Sequence, residues 1–148
     1  MSKYFISVMA SCFLLALLSA APAGAQQLGT LERAVIPFDF IVRGKTLPAG
    51  TYSIRRINDD TSEALVIQSQ NLRNRVAFET EPFVSRQAPR RSELVFDRYG
   101  DTYFLHEIRT GGETEGRELA TSRAERDLKR ETAKNNVAEP ETVAVALY

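Results

Sequence analysis

Cysteine is nearly absent from this chain: its one copy, Cys12, falls inside an N-terminal apolar stretch. Past that stretch no disulfide, zinc–thiolate site, CxxC redox pair or cysteine nucleophile can form. Tryptophan, the side chain best suited to stacking on sugar rings, is missing, and histidine occurs once, at His106. A lone imidazole cannot by itself make a His-based metal site, and no G-x-S-x-G elbow accompanies it, so a Ser–His hydrolase has no motif behind it. Gly111, Gly112 and Gly116 do not spell G-x-x-x-x-G-K-[ST], because Arg117-Glu118 follows Gly116. Nothing in these residues calls for a cofactor, a metal or catalysis, and the chain reads as non-enzymatic.

An excess of one charge is also lacking. Nearly all the basic residues are arginine, and without Lys3 there are 18 basic against 19 acidic side chains, a net charge of about −1. Nucleic acid and anionic membranes need a sustained positive excess, so neither is an expected partner. Arginine favours bidentate pairing with carboxylates, which suits the many Arg and Glu here to surface pairs.

What is present begins at the amino terminus. Lys3 supplies a positive start, Tyr4 to Ala21 is apolar or small, and Ala23-Gly24-Ala25 places small side chains where signal peptidase cuts. At ~1.5 Å per residue the apolar run only just reaches across a bilayer, and Pro22 breaks it before the A-x-A site. Residues 1–25 therefore read as a signal peptide, and 26–31 as a short flexible leader. The expected location is the periplasm or the cell exterior. Membrane contact is expected only through the signal before cleavage, and the partner is an envelope protein or glycan. About 123 residues would remain, enough for one domain that buries roughly two-thirds of its unfolded surface.

In that domain, 32–148, apolar and polar residues alternate in short runs every 8–12 residues. Ile36, Phe38, Phe40 and Val42 alternate within Arg33–Arg43, with Pro37 marking an edge or bulge. Gly44-Lys45 and Leu47-Pro48-Ala49-Gly50 are turns. Strands follow at Thr51–Ile57 (Tyr52 and Ile54 inward), Glu63–Ser69 and Arg75–Thr80 (Val76 and Phe78 inward), separated by turns at Asn58-Asp59-Asp60 and 70–74. Leu94-Val95-Phe96 and Tyr103-Phe104-Leu105 flank Gly100-Asp101 as a hairpin, with Ile108 continuing the second strand. Gly111-Gly112 and Gly116 suggest a flexible connection. Ser122-Arg123-Ala124-Glu125 is a capping box opening a solvent-facing helix over 123–134, resting on the sheet through Leu128, with Glu125–Lys129 as an i,i+4 pair. Thr142–Tyr148 is a final strand or a tail. The pattern predicts a mainly β domain, a small antiparallel barrel or sandwich of six or seven strands with one C-terminal helix.

Candidate functional residues are few. His106 alternates onto a face with Phe104 and Ile108 and reads as a structural or surface histidine. Asp97 with Asp101, and Asp59 with Asp60, read as turn residues bonding local backbone, so a carboxylate-based hydrolase finds little support. Arg86, Arg90 and Arg91, in a polar loop with Pro89, form the best contact surface, able to hold an anionic glycan, a phosphate or a partner carboxylate.

Four segments together resemble a group of short exported bacterial β-rich proteins of uncharacterised function: PFDF at Pro37–Phe40, LPAGTY at Leu47–Tyr52, LVFDRYGDTYFL at Leu94–Leu105 and GRELATSRAERDL at Gly116–Leu128. The resemblance spans most of the exported part in the same order and implies no activity or site residues. It leaves two readings: a domain acting through its surface, or a carbohydrate- or lipid-binding module.

Overall fold

The computed structural model describes residues 32–57, 63–134 and 140–148. The signal peptide 1–25, the leader 26–31 and the Asn58-Asp59-Asp60 turn lie outside the described residues.

Two-residue alternation builds strands almost throughout, and the described residues form eleven of them with one helix. β1 (Glu32–Ile36), β4 (Gly50–Arg56), β5 (Ala64–Ser69) and β6 (Arg75–Glu79) make an antiparallel sheet in the order β1-β4-β5-β6. The second sheet runs β11 (Glu141–Ala146), β8 (Glu93–Tyr99), β9 (Thr102–Arg109), β10 (Glu115–Glu118) and β7 (Glu81–Val84). A short hairpin of β2 (Phe40–Val42) and β3 (Lys45–Leu47) joins β9 through a parallel bridge between Ile41 and Phe104. The sheets do not close into a barrel. The described residues thus form a mainly β protein of two sheets with a C-terminal helix, α1 (Arg123–Lys134).

Both sheets send their apolar faces into one core. Ile36, Tyr52, Ile54, Ile67 and Phe78 come from the first sheet; Leu94, Phe96, Leu105 and Ile108 come from the second, and Phe40, Val42 and Leu47 from the small hairpin. Each fully buried side chain of this size contributes roughly 1.5–3 kcal/mol from removal of apolar surface from water. The ring of Phe40 stands edge-on to Tyr52 at 5.1 Å and to Phe96 at 5.5 Å, which ties the layers together.

The structure differs from the sequence pattern in several places, each with a cause. Arg33–Arg43 is two strands: Pro37 has no N–H to donate, and Pro37-Phe38-Asp39 carries the chain from one sheet to the other. The following turn is Arg43-Gly44, with φ of 52° and 81°, because Lys45 already pairs with Val42. β7 and β10 have no apolar alternation to announce them, which raises the strand number above the six or seven expected. Gly116 is no flexible link but a strand residue opposite Phe83, where a Cβ would come within 2.5 Å of the ring. Thr142–Tyr148 resolves as a strand: β11 pairs along β8, and Leu147 bridges to Ala34.

Two motifs explain themselves. Asp39 of PFDF accepts a hydrogen bond from the Ala49 N–H at 2.8 Å, and the Tyr52 hydroxyl donates to the Pro48 carbonyl at 2.6 Å, so PFDF and LPAGTY brace one corner. The capping box also forms, with Ser122 Oγ accepting from the Glu125 N–H at 3.2 Å and the Glu125 carboxylate accepting from the Ser122 N–H at 3.4 Å.

Candidate functional site

The helix does not rest on the sheet as its sequence suggests. Leu128 is only half-buried, and the residue pressed inward is Glu125, 5 % exposed. It forms no salt bridge with Lys129; the ion pairs on the helix are Arg123–Asp127 at 3.9 Å and Asp127–Arg130 at 4.0 Å. Glu125 instead faces the outer side of the β8–β9 hairpin, on the opposite side of that sheet from the core.

A β-bulge prepares this place. Val95 pairs with Glu107 and Phe96 with Leu105, so His106 is the extra residue of β9 and opposes no partner. A bulge turns its side chain out of the regular alternation. The expected shared face of His106 and Ile108 is therefore broken: Ile108 stays in the core, while His106 lies beside Asp97. Asp97, read as a turn residue, is in fact a strand residue of β8.

Ligand atoms of Asp97, His106 and Glu125 all lie within 4.8 Å of one another. His106 Nδ1 is 3.7 Å from Asp97 Oδ2, and its Nε2 is 3.6 Å from Glu107 Oε1. Glu107 is held in turn by Arg109, whose Nε donates to Oε2 at 2.6 Å, and Arg109 also approaches Glu93 at 3.6 Å. The result is a line of charge across the sheet, rich in carboxylates and ending under the helix.

Burial sets the electrostatics. It raises the Glu125 carboxyl above the ordinary carboxylate value; the Ser122 backbone hydrogen bond opposes the rise, Asp97 adds to it, and His106 and Lys129 oppose it. Burial also pushes the neighbouring Tyr99 hydroxyl up to about 12, with the charges of Glu125 and Asp97 adding. The Tyr99 ring meets Phe104 edge-on at 5.9 Å, forming an apolar wall beside the polar cluster.

Arg86, Arg90 and Arg91 are all exposed on the segment between β7 and β8, and none makes a salt bridge among the described residues. The segment has defined anchors. Gly112 N donates to the Pro89 carbonyl at 2.8 Å, and Gly111 N donates to Ser92 Oγ at 3.1 Å. Gly111 packs directly on this backbone, which corrects the reading of Gly111-Gly112 as merely flexible.

Sequence reasoning weighed His106, Asp97 and Glu125 singly and missed their meeting. The one local signal was the capping box, which named Glu125 but assigned its carboxylate only to the helix cap. No family profile, similar protein or solved structure matches this chain. Fold and site geometry carry the functional argument.

Proposed function

We propose that this protein is an exported, non-enzymatic β domain that acts by surface interaction in the cell envelope after removal of a signal peptide ending near Ala25. The observation that carries this reading is a filled interior beside an open strand edge. Phe40, Val42, Leu47, Leu94 and Phe96 are fully buried, leaving the core packed with its own side chains. β7 ends its sheet, its Val84 is 75 % exposed, and the arginine loop follows it directly. An open edge with neighbouring exposed guanidinium groups supports pairing with an extended segment or an anionic group of an envelope protein or glycan. The amino-terminal pattern and the resemblance to short exported proteins support the location.

Two measurements test it. Mass spectrometry of the chain recovered from the envelope should find Gln26 as the first residue; an intact Met1 on cytosolic protein overturns the location. A photo-crosslinking side chain at Val84 should give adducts in the intact envelope that disappear in the Arg86/Arg90/Arg91→Ala variant. Equal adducts from the exposed Leu72 position, in the turn between β5 and β6, would overturn the surface.

A hollow of about 320 Å³ supports a second reading, a carbohydrate-binding module. It lies between the Pro48–Tyr52 segment and the turn after β5, with Gln70, Asn71 and Asn74 in its wall. Its size is near the lower end for ligand sites, and amide walls suit hydroxyl groups better than acyl chains. Oligosaccharide titration of the protein and its Asn71→Ala/Asn74→Ala variant distinguishes this reading by loss of binding in the variant alone.

A further inference from the structure

Three elements converge on the outer face of the second sheet to bring one imidazole and two carboxylates together. We propose that Asp97, His106 and Glu125 form a binding site for a divalent transition-metal cation of the zinc class. The site does not depend on where the protein resides or on what the arginine loop contacts.

The donor set comes first. An imidazole with two carboxylates is a nitrogen–oxygen set of the kind zinc accepts, whereas magnesium and calcium prefer oxygen donors throughout. The spacing comes next. Ligands on one zinc at ~2.0–2.2 Å lie roughly 3–4 Å apart, and the three donors here fall within 4.8 Å of one another. Asp97 and His106 retain 19 % and 29 % side-chain exposure, which leaves both side chains room to move the roughly 1 Å or more that closure on one ion requires.

Two further observations support the site. Glu125 is 5 % exposed, and its Oε2 accepts the capping hydrogen bond from the Ser122 N–H, which fixes the carboxylate at the helix start. That carboxylate holds a ligand oxygen within 4.8 Å of those of Asp97 and His106. The imidazole is also oriented as a metal ligand would be. Its Nδ1 side faces Asp97 while its Nε2 faces Glu107, and Arg109 pins Glu107 at 2.6 Å. A carboxylate behind the far nitrogen of a ligating histidine is the usual means of fixing ring orientation and raising basicity.

The positive end of the α1 dipole and the charge of Lys129 oppose a cation here. Asp97 and Glu125 supply the negative charge against them, while Glu107 is already paired with Arg109. Three protein donors leave coordination positions for water or a partner's donor. Because Glu125 stands on α1, Asp97 on β8 and His106 on β9, a bound cation would clamp the helix to the sheet.

The test uses untagged, metal-stripped protein with zinc chloride, and magnesium chloride as the control. One zinc should bind per chain, raise the melting temperature, and shift the ring resonances of His106, which are unambiguous because the chain has one histidine. His106→Ala, Asp97→Asn and Glu125→Gln should each weaken zinc binding at least tenfold, and Glu107→Gln should weaken it less. No saturable binding at micromolar zinc overturns the site, as does binding that leaves the His106 resonances unmoved or survives in the Asp97 and His106 variants. The resonance measurement needs no substitution, so it decides the matter even if a variant fails to fold.

Discussion

Arg33 and Tyr148 exchange a pair of backbone hydrogen bonds: Arg33 N donates to the Tyr148 carbonyl at 3.0 Å and Tyr148 N donates to the Arg33 carbonyl at 2.9 Å. This pair seals the first described strand to the end of the chain and joins the two sheets along one side. Its apolar partner is Leu147, 7 % exposed in the shared core, whereas the Tyr148 side chain is 70 % exposed. Leu147→Ala should cost about 2–3 kcal/mol, the low end for a buried leucine. Tyr148→Ala should cost within about 0.5 kcal/mol. Urea denaturation of both variants checks the contrast.

Two glycines should differ in a way that separates backbone from side-chain crowding. A Cβ on Gly111 would meet Arg91 Cα at 2.8 Å and Ser92 N at 2.9 Å, both backbone atoms. A Cβ on Gly116 would meet the Phe83 ring at 2.5 Å, and a ring can be shortened by mutation. Gly111→Ala and Gly116→Ala should each destabilise by about 1–3 kcal/mol or more. Adding Phe83→Leu should recover most of the Gly116→Ala loss and none of the Gly111→Ala loss. A double-mutant cycle by thermal unfolding reads this directly.

The β2–β3 turn holds Arg43 at φ 52° and Gly44 at φ 81°, the signature of a tight hairpin with both central residues left-handed. Arginine gains nothing from that conformation, and asparagine tolerates it well. Arg43→Asn should stabilise the protein by about 0.5–1 kcal/mol, since αL strain costs an L-residue roughly 1–2 kcal/mol. A drop in midpoint denaturant would refute this account of the turn.

Glu32 provides a pH dependence. Burial raises its pKa above 4.5; a hydrogen bond from Ser92 offsets part of the rise and Glu113 adds to it. The folded state thus keeps a proton that the unfolded chain releases near pH 4.5. As pH climbs from there through the raised folded value, the unfolded state is favoured and stability falls. Below that window Glu32 costs nothing. Glu32→Gln should flatten this part of the stability–pH curve without removing it, because Glu125 is shifted in the same direction. Denaturation midpoints between pH 4 and 7 provide the comparison.

The legible parts of the fold share one property: their information is local. Tyr52 and Ile54, Val76 and Phe78, the Gly100-Asp101 turn and the Ser122–Glu125 box each announce themselves within a few residues, through alternation, turn chemistry or capping. β7 and β10 escape because Glu81-Pro82 and Glu115-Gly116-Arg117-Glu118 have no apolar face, and they become strands only by pairing with each other and with β9. The His106 bulge escapes for a related reason. An extra residue is defined only by the partner strand that it fails to match.

Composition and pattern alone determined that this chain lacks cysteine chemistry after its first stretch, forms mostly strands and opens the C-terminal helix at Ser122. Tertiary structure decided which strands share a sheet, that Glu125 and not Leu128 presses on that sheet, and that Asp97, His106 and Glu125 face one another. Periodicity records which side of an element is apolar. Only the packing of elements distant along the chain brings chosen polar groups within a few ångströms, where burial and mutual charge give them a chemistry that none has alone.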